Sequence, residues 1–509
     1  MNKLIREIPK LALLSALLFL SACNNNSKEL EKPNILWIYL EDTSPLLNCY
    51  GTSNISTPNI DKLAEAGMKF TKAIMPAPVC SASRSSIITG MMSTTLGLHN
   101  HHSSRTEESA IYLSDSIKTI PELFKQVGYF SFNNGKDDYN FSYDRRDLYE
   151  QDYYVHPLYG KSGKHLEISE LKGKEPFFGQ IQLSGGKEIF SSKFKEKVNN
   201  PVDRNKIMLP PYLPVHPAII EEYANHLDAI QITDEKVGKI IDDLAENGLL
   251  DNTVIFFFSD HGMRMTRHKQ FLYEGGLHVP LIIADFRNSK VIKPGTTDNK
   301  LIGGIDIGPS SLALAGIPIP KYMEGRNHFD NSSESREYII STRDRCDFTI
   351  DRIRSIRTKK YKYIRNFMID RPSTQLTYMD VNGVEFVKVM KQLYNDNKLD
   401  SVQARFFLDE RPEEELYNLI EDPYEINNLA ASPEYVTILK KHRKILNDWI
   451  TETNDKGQFP ENEEGLKLML GIWGKNAVNV EYDPLREKYK DLEGSLIELK
   501  TQKSKFIED

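Results

Sequence analysis

Three short stretches, Pro33 to Leu40, Thr253 to Phe258 and His278 to Ala284, are apolar at nearly every position and rich in β-branched and aromatic residues. A half-wet strand would alternate. Unbroken runs of this length predict strands buried on both faces, as in a parallel sheet covered by helices. Further strands are predicted at Lys69 to Ile74, Tyr129 to Phe132 and Pro176 to Leu183. Between them, Thr57 to Gly67 carries the marks of a capped helix, with Thr57 as N-cap, Pro58 in the first turn and Gly67 past the end. Ala218 to Asn247 repeats Ile, Leu and Val at helical steps, and Pro121 to Val127 and Ile307 to Ala315 are shorter helices. The polar, lysine- and proline-rich stretch from Ser191 to Pro217 reads as a surface connection. Alternating strands and helices predict an α/β sheet with helices on both faces.

The pattern changes around Ser332 to Arg336. Tyr338 to Ser341, Arg352 to Arg357 and Tyr361 to Arg365 read as antiparallel strands, and the tail from residue 410 is polar and mostly helical. This places a smaller C-terminal α+β domain at 336–509, after a larger α/β domain at 34–335. The N-terminus is a targeting pattern. Lys3, Arg6 and Lys10 precede an apolar core from Leu11 to Leu20, too short to span a bilayer as a mature helix. Leu20-Ser21-Ala22-Cys23 then resembles a bacterial lipobox, with residues 1–22 removed, Cys23 lipidated and 23–33 left as a tether. The expectation is an exported protein anchored to a membrane through lipid, in the periplasm or at the cell surface.

Composition changes the picture in two ways. The chain has 509 residues, 39% hydrophobic and 27% charged, with a net charge of −7, so it lacks the basic field of a nucleic-acid binder. An anionic substrate must be held by local lysines and arginines. Four cysteines are too few for a disulfide scaffold, so Cys49 and Cys346 are expected as free thiols.

Candidate chemistry centres on Cys80-Ser81-Ala82-Ser83-Arg84, followed by Thr89-Gly90. The small residues predict the first turn of a helix, with Arg84 one turn on from Cys80 and on the same face. A nucleophile, a fixed cation and a helix N-terminus then converge, which suits attack on an anionic ester. Two acidic pairs, Glu41-Asp42 and Asp260-His261, stand at the carboxyl ends of two predicted buried strands, the edge where open α/β sheets bind ligands. Carboxylates meeting there call for a cation, and oxygen-rich ligation favours Ca²⁺ or Mg²⁺.

These motifs resemble the type I, formylglycine-dependent sulfatases of the alkaline phosphatase superfamily. The resemblance rests on Cys-x-Ala-x-Arg with Thr-Gly, the opening Pro33-Asn34-Ile35 strand with its acidic pair, Asp260-His261, Gly135-Lys136 and Lys269 ahead of Tyr273-Glu274-Gly275-Gly276. Ile305-Asp306-Ile307-Gly308-Pro309, Met323-Glu324-Gly325 and Glu415-Leu416-Tyr417-Asn418 extend it over nearly the whole mature chain. It implies a large mixed, mostly parallel sheet sandwiched by helices. It also implies oxidation of Cys80 to formylglycine (3-oxoalanine) by a maturation enzyme, and a metal held by Glu41, Asp42, Asp260 and His261 around the modified Cys80. Hydration of the aldehyde would give the attacking hydroxyl, with a sulfated enzyme as intermediate. Arg84 would hold this network, and Lys136 and Lys269 would bind sulfate oxygens.

The chain departs from the family pattern in two places. Asp138 stands where Gly-Lys-x-His has its histidine, and Leu183-Ser184-Gly185-Gly186-Lys187 lacks a second histidine that usually follows the preceding strand. The acid that protonates the leaving alcohol is therefore sought among His268, Lys269, Lys187 and Asp138. Arg264, Arg267, Arg343 and Arg345 are candidates for contacting acidic groups of a sugar. The expected activity is hydrolysis of sulfate esters on carbohydrates, algal polymers such as ulvan and glycosaminoglycans both being candidates. The alternatives are a phosphodiesterase or phosphonate hydrolase of the same architecture and a non-catalytic, lipid-anchored glycan-binding protein.

Overall fold

Alternate residues of the first strand enter two different cores. Ile35, Trp37 and Tyr39 pack with Ile87, Ile88, Ile120, Phe124, Ile307 and Leu312. Leu36, Ile38 and Leu40 pack with Ile60, Leu63, Ile219, Leu227, Ile230 and Val237. The unbroken apolar run is the signature of a two-residue period with a core on each side. These features come from a computed structural model that describes residues 32–151, 154–156, 160–287, 289–330 and 335–496. The expected leader, lipobox and Cys23 lie outside the described residues.

The strands that build the two main sheets are, in chain order, β1 (Asn34–Leu40), β2 (Gly67–Ile74), β3 (Phe130–Asn134), β4 (Phe177–Leu183), β5 (Thr253–Ser259), β6 (His278–Asp285), β7 (Thr296–Asp298), β8 (Ile302–Gly303), β9 (Tyr338–Arg343), β10 (Ile353–Thr358), β11 (Tyr361–Asn366) and β12 (Glu414–Asn418). The large sheet has the order β8-β2-β6-β5-β1-β4-β3, with β7 also on β2. Strands β5, β1, β4 and β3 run parallel. Strand β6 is antiparallel to both β5 and β2. The sheet is mixed and mostly parallel, as expected. Helices α1 (Pro58–Ala66) and α4 (Pro217–Glu246) cover one face; α2 (Cys80–Thr89), α3 (Ile120–Gln126) and α5 (Ile307–Leu314) cover the other. Trp37 is satisfied across this second layer, its indole N–H donating to Ser311 Oγ at 2.9 Å.

Strands β9 to β12 form a second, antiparallel sheet. Helix α6 (Val436–Glu452) covers it through Leu439 and Leu446, which meet Ile340, Ile356, Tyr363 and Leu416. Both sheets lie in one compact unit that begins at Pro33. Ser341 Oγ donates to Met75 O at 2.7 Å and Thr342 N to Pro76 O at 2.9 Å, so β9 is tied to the loop that leads into α2. Among the described residues no helix is long and apolar enough to cross a membrane.

Thr57 is the N-cap residue of α1 and Gly67 lies just past its end, as expected. The Thr57 hydroxyl makes no capping bond; it donates to Asp61 Oδ1 at 3.2 Å and accepts from Asn48 N at 3.1 Å, tying the preceding turn to the helix. Gly67, with φ −131°, already belongs to β2. It is glycine because a Cβ there would come within 2.5 Å of Ile283 O on β6. The tail after residue 410 is mostly helical, as expected, and also supplies Glu414–Asn418, the fourth strand of the second sheet.

Candidate active site

Cys80 is the first residue of α2, and every residue of that helix is buried although half of them carry hydroxyls. A polar helix survives burial when its hydroxyls are satisfied. Ser85 donates to Ser81 O at 2.6 Å, Thr89 to Ser85 O at 2.7 Å and Ser83 to Asp260 O at 2.6 Å. The last bond locks the helix start to the end of β5. The acidic pairs lie at the adjacent carboxyl ends of β1 and β5, as the strand pattern requires.

Arg84 reaches into the gap between these ends. Its Nε donates to Asp260 Oδ2 at 3.1 Å, Nη2 to Glu41 Oε1 at 3.2 Å and Nη1 to Gln182 Oε1 at 2.8 Å. The guanidinium also stacks over the Tyr39 ring, 4.3 Å from its centroid.

Three lysines converge on the same point. Lys136 Nζ is 2.8 Å from Glu41 Oε1, Lys187 Nζ 2.5 Å from Glu41 Oε2 and Lys269 Nζ 2.9 Å from Asp42 Oδ1. Lys187 and Lys269 also lie 3.8 and 3.7 Å from Cys80 Sγ. Lys187 gets there because two glycines precede it. A Cβ on Gly185 would sit 2.4 Å from Glu41 O, and one on Gly186 would sit 2.2 Å from Asp42 O. That loop can lie flat on the acidic pair only without side chains.

The electrostatics follow from burial and these neighbours. Burial pushes the Cys80 thiol up, but Lys136, Lys187, Lys269 and His261 outweigh it and hold it well below the usual thiol range. Burial likewise opposes ionisation of Glu41, yet Lys136, Lys187 and Arg84 bring its carboxyl down. Asp42 is lowered against its burial by Lys269, Lys187 and His261. Burial disfavours the charge on Lys187, but the Cys80 thiolate and the Glu41 and Asp42 carboxylates raise it well above its ordinary value. Lys136 and Lys269 are raised in the same way. These ammoniums are fixed charges arranged as an anion would need.

The donor set also fits a divalent cation. His261 Nδ1 faces Gly262 O at 2.9 Å, which turns Nε2 toward Cys80 Sγ at 3.3 Å, Asp42 Oδ1 at 3.4 Å and Asp260 Oδ1 at 3.6 Å. Donor atoms of Asp42, Cys80 and His261 thus lie within 4.8 Å of one another, with Asp260 Oδ1 beside the imidazole. Although burial disfavours a charged imidazole, Asp260 and Cys80 raise the His261 pKa, so the surroundings favour positive charge at that spot. Glu41 stands to the side, its carboxylate engaged by Arg84, Lys136 and Lys187.

Other residues singled out from sequence are placed as follows. Asp138 bonds Lys136 Nζ at 2.9 Å, Arg105 Nη2 at 2.6 Å and His102 Nε2 at 3.0 Å. Despite burial, Lys136, His102 and Arg105 hold its carboxyl well below the ordinary range, so it is an ionised acceptor and not a proton donor. His268 is buried beside Tyr212 with Nδ1 2.9 Å from Thr266 O, and burial pushes it down to about 4. No hydrogen bond among the described residues joins it to Cys80. Arg264 is paired with Glu222 and lies over Phe190, while Arg267 is enclosed by the Tyr212, Tyr273 and Phe406 rings. Arg343 pairs with Asp351 at 2.6 Å and Arg345 with Glu461 at 2.5 Å, both buried. These last three arginines hold the fold together and are not arranged to receive a ligand. Cys49 and Cys346 are free thiols, pushed by burial to about 12 and about 11. The residues missed from sequence are His101, His102 and Arg105, which gather at Asp138, and Tyr378, whose ring lies 5.6 Å from Lys269 Nζ.

The Sulfatase family profile matches residues 33–317. The chain belongs to the sulfatase family. A second profile, the C-terminal part of N-sulphoglucosamine sulphohydrolase, matches residues 261–409. An ulvan-active sulfatase from Formosa agariphila is 30% identical, covering 89% of this chain and 80% of that protein. The N-sulphoglucosamine sulphohydrolase of Homo sapiens is 22% identical over 88% of this chain and 94% of its own. The solved structure of a 2-O GAG sulfatase has the same fold, with a TM-score of 0.61 at 21% identity over 85% of this chain and 94% of that one. As a sulfatase, the chain is a sulfuric ester hydrolase.

Proposed function

We propose that this sulfatase removes sulfate from sulfated carbohydrates, using a formylglycine hydrate made from Cys80 and a bound Ca²⁺. The observation that carries the reading is the cage of Lys136, Lys187 and Lys269 around Cys80, with Arg84 behind it. It offers several ammonium groups to one tetrahedral anion beside one nucleophile. The relatives named for action on ulvan and on sulphoglucosamine support a carbohydrate substrate. Asp42, Asp260 and His261 would hold the cation, with Glu41 at its edge. A cation there supplies Lewis-acid polarisation of a sulfate oxygen and eases deprotonation of the attacking hydroxyl. Lys136, Lys187 and Lys269 orient the sulfate group and offset the charge that builds on it. Arg84 bridges Glu41 and Asp260 and favours the ionised form of each against burial.

We further propose export and lipid anchoring through Cys23, supported by the basic, apolar and lipobox segments of the N-terminus. Membrane fractionation of wild type and Cys23→Ser tests it, release of the variant into the soluble fraction being the expected result.

The deciding experiment is sulfate release from defined sulfated oligosaccharides by protein coexpressed with a formylglycine-generating enzyme. Mass spectrometry of the Cys80 peptide runs alongside. Aldehyde at Cys80 with sulfate release supports the reading. An unmodified thiol in active protein would remove the formylglycine part. Equal or better turnover of matching phosphate esters would remove the substrate part.

A further inference from the structure

An imidazole from another loop meets the side chain at position 138. His102 Nε2 lies 3.0 Å from Asp138 Oδ1. Asp138 Oδ2 lies 2.9 Å from Lys136 Nζ, so the pair touches the anion cage directly. His102 is also tied to the nucleophile's helix, its backbone N–H donating to Ser81 Oγ at 3.3 Å. Both residues adopt left-handed backbone, φ 60° for His102 and φ 55° for Asp138, which non-glycine residues rarely hold without a local reason. We propose that His102, oriented by Asp138, protonates the leaving oxygen of the sulfate ester. The proposal rests on the sulfatase reading above and adds the acid that it lacks.

The geometry assigns each neighbour a part. Asp138, ionised, accepts from Nε2–H and fixes that tautomer, so Nδ1 is the nitrogen whose proton comes and goes. Arg105 Nη2 (2.6 Å) and Lys136 hold Asp138 ionised, so it supports an imidazolium without taking its proton. His101 stacks on His102 with ring centroids 3.6 Å apart, and its Nδ1 faces Asp347 Oδ1 at 3.3 Å. The stack limits ring rotation, and Arg345 pins the segment by donating from Nη1 to His101 O at 2.8 Å. His101, His102 and Asp138 could also be read as a metal cluster. In the structure, however, the donor atoms of this cluster are engaged by protein partners, His101 Nδ1 by Asp347 and Asp138 by His102, Arg105 and Lys136. In the chemical step the S–O bond breaks toward the leaving oxygen. That oxygen keeps the electron pair and takes the Nδ1 proton, leaving neutral His102, which is reprotonated from water. Lys187 and Lys269 are committed to the Glu41 and Asp42 carboxylates, and His268 Nδ1 faces Thr266 O at 2.9 Å.

The test is the leaving-group dependence of matured His102→Asn against wild type, on phenyl sulfates from nitrophenyl to unsubstituted phenyl. Wild-type rates read the sulfatase activity, and the difference between slopes reads the acid, so the two can fail separately. Removing a general acid is expected to lower kcat/KM for phenyl sulfate by at least about 100-fold and for nitrophenyl sulfate by less than about tenfold. Added imidazole is expected to restore His102→Gly selectively on the poor leaving groups. A uniform loss across the series, or no loss on phenyl sulfate, overturns the proposal. Should His102→Asn not fold, Asp138→Asn reads the same slope, and an unchanged slope there overturns the orienting role.

Discussion

Arg84 Nε lies 3.1 Å from Asp260 Oδ2, and neither side chain has any exposed surface. The same guanidinium holds Glu41, Gln182 and Lys136 O, so it joins the ends of β1, β4 and β5 to the loop after β3. Arg84→Met is expected to destabilise the protein by about 3–5 kcal/mol, because buried carboxylates lose their partner. Urea unfolding measures it. Arg84→Lys restores a charge but not the planar fork, so stability returns in part while turnover stays at least about 100-fold down.

Asp42 Oδ1 and Asp260 Oδ1 both lie against His261 Nε2, so the proposed cation would link its binding to folding. Adding Ca²⁺ to chelator-treated protein is expected to raise the melting temperature and to restore activity. Asp42→Asn and Asp260→Asn should each remove most of the shift. A calcium-independent melting curve in wild type would sink the assignment.

His226 and His268 make stability pH-dependent in a definite direction. Burial pushes them down to about 3 and about 4, and His226 Nε2 has no hydrogen-bond partner among the described residues. Their folded pKa values lie below the unfolded value near 6.5, so the unfolded chain binds protons that the folded chain refuses. Stability therefore falls as pH drops below about 6.5, at about 1.4 kcal/mol per pH unit per residue. Between pH 6.5 and 5, His226 alone contributes about 2 kcal/mol of this loss. Comparing urea unfolding of wild type and His226→Phe at both pH values checks it. The variant should lose less stability across that interval.

The strand ends, the Cys80 helix and the lysines on Gly-Lys and ahead of Tyr-Glu-Gly-Gly were legible because each is local. An unbroken apolar run fixes a buried strand, and a sheet's carboxyl edge fixes what its last residues can meet. Strand β12 was not legible, because its glutamates, Glu415 buried and Glu414 half-buried, are held by tertiary partners. Tyr363 donates to Glu414 at 2.5 Å and Tyr273 to Glu415 at 2.8 Å. The His102–Asp138 pair was hidden for the same reason: 36 residues separate the two, and only the folded loops bring them together. Arg343 and Arg345 drew attention as charges near a sheet edge, but the fold spends them on Asp351 and Glu461.

Lys187 offers a sharp contrast with His102. It replaces a family histidine in sequence, yet its ammonium sits 2.5 Å from Glu41 and 3.8 Å from Cys80 Sγ with its pKa raised. An ammonium held against Glu41 beside Cys80 is placed to hold sulfate. Lys187→Gln is therefore expected to raise KM and the inhibition constant for free sulfate by about ten- to 100-fold, the effect of losing one charge-assisted contact of about 1.5–3 kcal/mol. The slope of log kcat/KM against leaving-group pKa should stay as in wild type. A steeper slope in Lys187→Gln, with sulfate inhibition unchanged, would make Lys187 the acid and leave His102 a positioning residue.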